Sequence, residues 1–83
     1  MMDQQQVFEK VVSILKPFTR NDDALASVAM NTSILGELKV NSARLVDVVL
    51  EMEDAFGIAI SDDEADSVQT VGDAVGVVLK HRA

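Results

Sequence analysis

Apolar residues recur at helical spacing near the start of the chain. The stripe they form comprises Val7, Phe8, Val11, Val12, Leu15 and Phe18. Intervals of three and four residues place such side chains on one face of a helix. Asp3 and Gln6 form a capping pattern before this stripe, and Pro17 should end the regular helix near Leu15 or Lys16. We therefore predict a first helix in this part of the chain.

A long segment without helical periodicity follows the first helix. Two turn-forming clusters, residues 21–23 and residues 31–33, lie on either side of a short apolar run. We predict a long ordered loop here, with room for one helical turn. Loops of this length usually carry function or are held by specific contacts. Ile34, Leu35 and Leu38 are expected to anchor the loop in the core.

The strongest helical signal begins at Ser42 and continues to Phe56. Asn41 is a favourable N-cap residue, and Gly57 stands where a glycine commonly ends a helix. The expected core face of this second helix comprises Leu45, Val48, Val49, Met52 and Phe56. The pattern predicts a helix that begins with an exposed serine.

The outward face of the second helix combines apolar and acidic residues. Val46 and Leu50 lie on this face within two turns of the helix start. Scattered exposed apolar residues are common, so the pattern is compatible with a plain solvated surface and with a partner-docking patch. The candidate docking residues are Arg44, Val46, Asp47, Leu50, Glu51, Glu53 and Asp54. Such a patch suits a partner with a hydrophobic notch and a basic rim.

Two further helices are predicted in the last third of the chain. Ser61 and Glu64 form a capping box for a brief acidic helix. Thr70 and Asp73 form a similar cap for the last helix. The apolar face of that helix comprises Val71, Ala74, Val75, Val78 and Leu79. The chain thus ends in a short helix followed by a long one.

Gly72 and Gly76 lie inside the last predicted helix. Each is expected to weaken it by about 1 kcal/mol relative to alanine. The pattern contains no strand signal and no internal repeat. We therefore predict an all-α fold, a small bundle of three main helices and one short helix, as a single domain over residues 1–83.

The charge of the chain restricts its partners. Seven basic and fourteen acidic side chains give a formal charge of −7. This charge repels nucleic-acid phosphates and anionic lipids, so we predict neither nucleic-acid nor membrane binding. No leader pattern and no long apolar span is visible. We expect a monomer in the cytoplasm.

Residues with catalytic or metal-binding chemistry are few. The chain has no cysteine, and its one histidine, His81, is assigned no role. The acidic run at residues 62–66 lacks the alternating oxygen ligands and the glycine of a calcium-binding loop. Ser42 has no histidine or lysine close in sequence that could act as its base. We predict no catalytic residue, no metal site and no enzymatic activity.

The sequence around Ser42 resembles acyl carrier proteins. In that family an acidic residue and Leu precede an Asp-Ser-Leu signature that opens the second helix. Glu37-Leu38 match the lead-in, and the signature here reads Asn41-Ser42-Ala43. Residues 48–60 and 62–79 are similar to the family's later helices. The resemblance covers almost the whole chain, and Arg44 departs from it, since that position is usually acidic or polar.

The resemblance implies a fold of acyl-carrier type and a carrier function. By the family's pattern, Ser42 is esterified with 4′-phosphopantetheine from coenzyme A, and the terminal thiol of this arm holds an acyl group as a thioester. The implied partners are a phosphopantetheinyl transferase and acyl-loading, synthase or transferase enzymes with basic docking patches. The implied pathway is fatty-acid, polyketide or other specialised lipid biosynthesis, and the variant signature points to a specialised carrier.

Two other functions remain open at this point. The chain could carry an aminoacyl or peptidyl group, or it could be an adaptor in which Ser42 stays unmodified. Aminoacyl carriers often have a less acidic second helix, so the carboxylates on this one favour the acyl branch.

Overall fold

The computed structural model describes residues 3–82 as a helical bundle. Its five helices are α1 (Gln4–Leu15), α2 (Asp22–Ala26), α3 (Leu45–Phe56), α4 (Asp62–Asp66) and α5 (Val71–Arg82). Two 3₁₀ turns, Lys16–Phe18 and Ser42–Arg44, follow α1 and precede α3. The predicted all-α class is confirmed, and residues 3–82 contain no strand. The loop between the first two main helices contains α2, the single helical turn for which the sequence left room.

Local hydrogen bonds begin α1 and α4 where the sequence predicts. At α1, Asp3 Oδ1 accepts from the Gln6 N–H at 2.9 Å, and Gln6 Oε1 accepts from the Asp3 N–H at 3.0 Å. Ser61 and Glu64 exchange the same pair of hydrogen bonds at α4. Gly57 ends α3 with a positive φ of 65°, a conformation that costs glycine little. These caps satisfy backbone groups that a helix end leaves without partners.

The core lies where α1, α3 and α5 pack together. Its buried apolar residues are Val7, Val11, Leu15, Ile34, Leu38, Val40, Val48, Met52, Phe56, Val68, Val71, Ala74, Val75 and Val78. Most of the predicted core positions are among them. Leu45 and Val49 of α3 and Leu79 of α5 are only partly buried and pack against the edge of this cluster.

The loop before α3 is anchored differently from the prediction. Ile34 and Leu38 are buried, but Leu35 is 42% exposed, so the prediction that Leu35 anchors the loop is wrong. The Leu38 N–H donates to the Ser33 carbonyl at 3.0 Å, which makes the segment turn tightly. In this turn both Ile34 and Leu38 face the core. Leu35 then points outward.

Backbone hydrogen bonds tie this loop to the start of α5. The Ile34 N–H donates to the Gln69 carbonyl, and the Val71 N–H donates to the Thr32 carbonyl, both at 3.0 Å. The Gly72 N–H donates to the Met30 carbonyl at 2.6 Å. The loop is therefore held against α5 before the chain reaches α3.

Candidate functional site

Ser42 is exposed at the start of the 3₁₀ turn that leads into α3. The predicted N-cap is confirmed, because Asn41 Oδ1 accepts a hydrogen bond from the Ala43 N–H at 2.8 Å. The first turn is 3₁₀ in form, with the Arg44 N–H donating to the Asn41 carbonyl at 2.8 Å, and regular α-helix begins at Leu45. Tight first turns are common at helix N-termini. The serine hydroxyl is not part of the cap, and the residue is exposed to solvent.

A groove of about 310 Å³ opens beside Ser42, between α3 and α4. Its apolar wall comprises Leu45, Val46, Val49, Leu50, Ile60 and Ala65, and its polar rim comprises Ser42, Glu53, Asp62 and Asp66. Sequence reasoning missed this groove. The partial burial of Leu45 and Val49 follows from it, since these side chains line the groove as well as the core edge.

The carboxylate of Glu53 holds one end of this groove in place. Its Oε2 atom accepts a hydrogen bond from the Ile60 N–H at 2.8 Å. The bond fastens the segment between α3 and α4 to the side of α3. Glu53 was predicted to face a partner, and the structure places its side chain against the chain's own backbone. Glu53 is partly buried, so its charge is less exposed than those of Glu51 and Asp54.

The other predicted docking residues lie on the outer side of α3. Val46 and Leu50 are 65% and 56% exposed, which is unusual for large apolar side chains on a packed helix. Glu51 and Asp54 are exposed beside them, and Asp47 is half-exposed. The structure therefore brings together an apolar spot and a set of carboxylates on one face, as predicted for a docking patch.

Arg44 is the basic member of the predicted docking set, and its side chain has two contacts. Its Nη1 atom lies 3.3 Å from Asp47 Oδ2. Its guanidinium carbon lies 5.4 Å from the centre of the Phe18 ring. The side chain is thus directed toward the end of α1.

Leu35 belongs to this surface, although the sequence did not indicate it. It lines a second cavity together with Leu45 and Ala65, which also line the groove beside Ser42. The exposed apolar area therefore continues from α3 across the end of the loop. A side chain that the sequence pattern assigns to the core can be recognised as exposed only once the turn at residues 33–38 is known.

Glu64 connects α4 to α5 through His81, to which the sequence analysis assigned no role. The ring nitrogen Nε2 of His81 lies 2.9 Å from Glu64 Oε2, and Lys80 Nζ lies 3.4 Å from the same oxygen. The backbone N–H of Ser61 and then the His81 ring lower the pKa of Glu64 to about 2. In a similar way, the N–H groups of Gln69 and Thr70 lower the pKa of Asp73. These carboxylates make local contacts within the fold, and neither lines the groove beside Ser42.

We expect Glu64 to make the free energy of unfolding depend on pH between about 4.5 and 2. The folded chain keeps this carboxylate ionised down to about pH 2, whereas its ordinary pKa is 4.5. The stabilisation is complete above the higher value and is lost as the pH falls toward the lower one. Urea unfolding at pH 5, 4 and 3 should therefore show a smaller loss of stability for Glu64→Gln than for the wild type.

Asp63→Asn is the matched control for this measurement, because Asp63 is an exposed carboxylate on the same helix. It should retain the pH dependence of the wild type. Equal pH dependence in Glu64→Gln and the wild type would contradict the assigned role of Glu64.

No group of three or more histidine, cysteine, aspartate or glutamate side chains within residues 3–82 is arranged to hold a metal ion. In the same part of the chain, no helix is long and apolar enough to cross a membrane.

Comparisons with known proteins give a consistent result. Residues 9–78 match the family described as "Phosphopantetheine attachment site". The chain is 35% identical over 81 residues to an acyl carrier protein of Lactobacillus acidophilus, and the match covers 98% of this chain and 99% of that protein. It is 32% identical over 81 residues to an acyl carrier protein of Rubrobacter xylanophilus, covering 98% of each.

A solved structure of an acyl carrier protein from Enterococcus faecalis has a similar fold. Its TM-score is 0.77 at 32% sequence identity, and the match covers 96% of this chain and 99% of that one. The fold, the family match and the relatives agree over nearly the whole chain. The chain therefore belongs to the acyl carrier protein family, whose members are carriers rather than enzymes and have 4′-phosphopantetheine as their covalent cofactor.

Proposed function

We propose that Ser42 is the attachment point of 4′-phosphopantetheine and that the chain carries an acyl group in fatty-acid, polyketide or other specialised lipid biosynthesis. The observation that carries this proposal is the position of an exposed serine at the mouth of an apolar groove. The attached arm supplies a terminal thiol that holds the acyl group as a thioester. The acyl-carrier function uses both the serine and the groove.

The surroundings of Ser42 suit a phosphodiester. The start of a helix presents N–H groups and a partial positive charge, both of which stabilise an attached phosphate. His81 is paired with Glu64 at the α4–α5 contact, so it does not serve Ser42 as a base. We therefore infer that the modifying transferase activates the hydroxyl. Ser42 acts as a passive attachment point.

The groove favours an acyl cargo over an aminoacyl or peptidyl one. Its walls are mainly aliphatic, and its volume of about 310 Å³ is within the range of small-ligand pockets. An alkyl chain gains about 25 cal/mol for each Å² of apolar surface that it buries there. The amide groups of a peptidyl cargo would lose hydration against the same walls without gaining hydrogen bonds there. The unmodified adaptor would leave this groove without a use.

An acyl carrier protein works with a phosphopantetheinyl transferase and with synthase or transferase enzymes. We infer that the partners of this chain contact the outer face of α3 through a hydrophobic notch with a basic rim, because Val46 and Leu50 are exposed among carboxylates. The predicted cytoplasmic location, monomeric state and single domain over residues 1–83 are part of this proposal.

Intact mass spectrometry tests the attachment. The purified chain is incubated with coenzyme A and a permissive phosphopantetheinyl transferase, and its mass should increase by one phosphopantetheine group. Loading with acyl groups of increasing length should then raise the thermal unfolding midpoint, because longer chains bury more apolar surface in the groove. A chain that gains no mass would contradict the carrier function, and a midpoint independent of acyl length would contradict the use of the groove.

A substitution at Leu50 tests the docking face. Leu50→Glu places a charge in the exposed apolar spot, and we expect it to lower kcat/KM for modification of Ser42 by about tenfold. Gln5→Glu, which adds the same charge at an exposed position of α1, is the control and should leave kcat/KM unchanged. Far-ultraviolet circular dichroism should show equal helical content in both variants. Unchanged kinetics for Leu50→Glu would refute the docking role.

A further inference from the structure

Arg44 lies in the most acidic part of the chain. Between Ser42 and Asp66, it is the one basic residue among eight carboxylates. These are Asp47, Glu51, Glu53, Asp54, Asp62, Asp63, Glu64 and Asp66. A partner whose surface is basic throughout would be attracted by these carboxylates and repelled at one point, two residues after Ser42. The charge pattern is therefore mixed close to Ser42.

The Arg44 guanidinium group makes two contacts and remains exposed to solvent. The ion pair with Asp47 and the position over the Phe18 ring restrict the guanidinium group from two sides. The side chain nevertheless remains 60% exposed. A guanidinium group ordered in this way loses less conformational freedom when it binds a carboxylate. The Arg44 guanidinium group is thus both ordered and accessible to a carboxylate of a partner.

A second groove, next to the one beside Ser42, contains both Arg44 and another arginine. It measures about 450 Å³ and is lined by Pro17, Phe18, Thr19, Arg20, Asn41 and Arg44. The backbone at Arg20 is fixed by its N–H, which donates to the Leu38 carbonyl at 3.0 Å. Ser42 lines the apolar groove, whereas its neighbour Asn41 lines this one. Two grooves of different chemistry therefore meet at the start of α3.

We propose that the groove between Arg20 and Arg44 binds an acidic side chain of the enzyme that engages Ser42. This inference rests on the proposed function, in which partners dock around that serine. The complementary partner has a basic surface opposite α3 and a carboxylate opposite this groove. Arg44 is a specificity-determining residue, because it attracts such a partner and repels one with a cation at the same place.

A double-mutant cycle with a permissive phosphopantetheinyl transferase tests this contact. Each lysine and arginine at the mouth of the transferase active site is changed singly to glutamate, and kcat/KM is measured with the wild-type chain and with Arg44→Gln and Arg20→Gln. For one or more of these transferase variants, kcat/KM should be about tenfold higher with the wild-type chain than with Arg44→Gln. The unchanged transferase has a lysine or arginine at the substituted position and stands for a mismatched partner, so it should modify Arg44→Gln faster than the wild type.

Lys10→Gln is the matched control for the cycle. Lys10 Nζ lies 5.7 Å from the centre of the Phe56 ring, so it is also a cation over an aromatic ring, but at the last residue of α3. It should show no coupling to the transferase positions. If no position couples to Arg44 or Arg20 while Ser42 is modified normally, this inference is overturned and the carrier function stands. A wild-type chain that is not modified at all would overturn both.

Discussion

Ser42→Ala should take up no phosphopantetheine while folding like the wild type. The substitution removes the one hydroxyl that opens onto the apolar groove. It leaves the helix start intact, because Asn41 supplies the capping oxygen and the backbone carbonyl of residue 42 still accepts from the Leu45 N–H. An exposed substitution of this kind changes stability by no more than about 0.5 kcal/mol. Intact mass after incubation with coenzyme A and a permissive transferase measures the loss.

Two control variants separate the loss of the hydroxyl from other effects. Ser13→Ala removes an exposed serine from α1 and should be modified at the wild-type rate. Asn41→Ala removes the cap beside Ser42 and should lower stability by about 1 kcal/mol, but it should still be modified. An adduct that persists in Ser42→Ala would place the attachment elsewhere. Loss of the adduct in Ser13→Ala would show that the assay reports folding rather than attachment.

The helix starts could be predicted because their determinants are local. The pairs Asp3 with Gln6 and Ser61 with Glu64 are three residues apart, so the hydrogen bonds between them depend on little else. The position of Ser42 follows from the same logic, since Asn41 directly precedes it. An exposed serine at a helix start is therefore visible in a sequence before any packing is known.

The groove beside Ser42 could not be predicted, because it depends on how α4 lies against α3. The Glu53 carboxylate reaches the Ile60 N–H across the connection between these helices, and no helical periodicity describes that contact. The same holds for His81, which meets Glu64 from 17 residues away. Leu35 is a third example, since the fold of the turn around it leaves Leu35 exposed and buries Ile34 and Leu38. In each case, contacts that the local sequence pattern does not describe decide where the side chain lies.

Gly72 and Gly76 look equivalent in the sequence and differ in the structure. Both lie inside α5, and helix propensity assigns each the same cost. A methyl group built on Gly72 would lie 2.7 Å from the Met30 carbonyl oxygen, whereas one built on Gly76 would meet nothing within 4 Å. The first glycine allows the loop to approach α5 closely, and the second has no such role. Alanine should therefore act in opposite directions at the two sites.

We expect Gly72→Ala to lower the free energy of unfolding by about 1–3 kcal/mol. The neighbouring atom is a backbone oxygen, so the contact can be relieved only if the loop moves away from α5. Such a movement weakens the hydrogen bond from the Gly72 N–H to the Met30 carbonyl, now at 2.6 Å. Gly76→Ala should raise stability by about 0.5–1 kcal/mol, because alanine restricts the unfolded chain and favours the helix.

Denaturant unfolding of both variants at one pH measures the two effects. The midpoints should shift in opposite directions, and the slopes should stay the same if both variants unfold in two states from the same native structure. Stabilisation by both substitutions would show that the loop yields to the added methyl group at little cost. Since the loop leads directly to Asn41 and Ser42, Gly72→Ala should also slow modification of Ser42, whereas Gly76→Ala should leave that rate unchanged. A slower rate in Gly72→Ala would mean that the loop, through its contact with α5, also positions the serine.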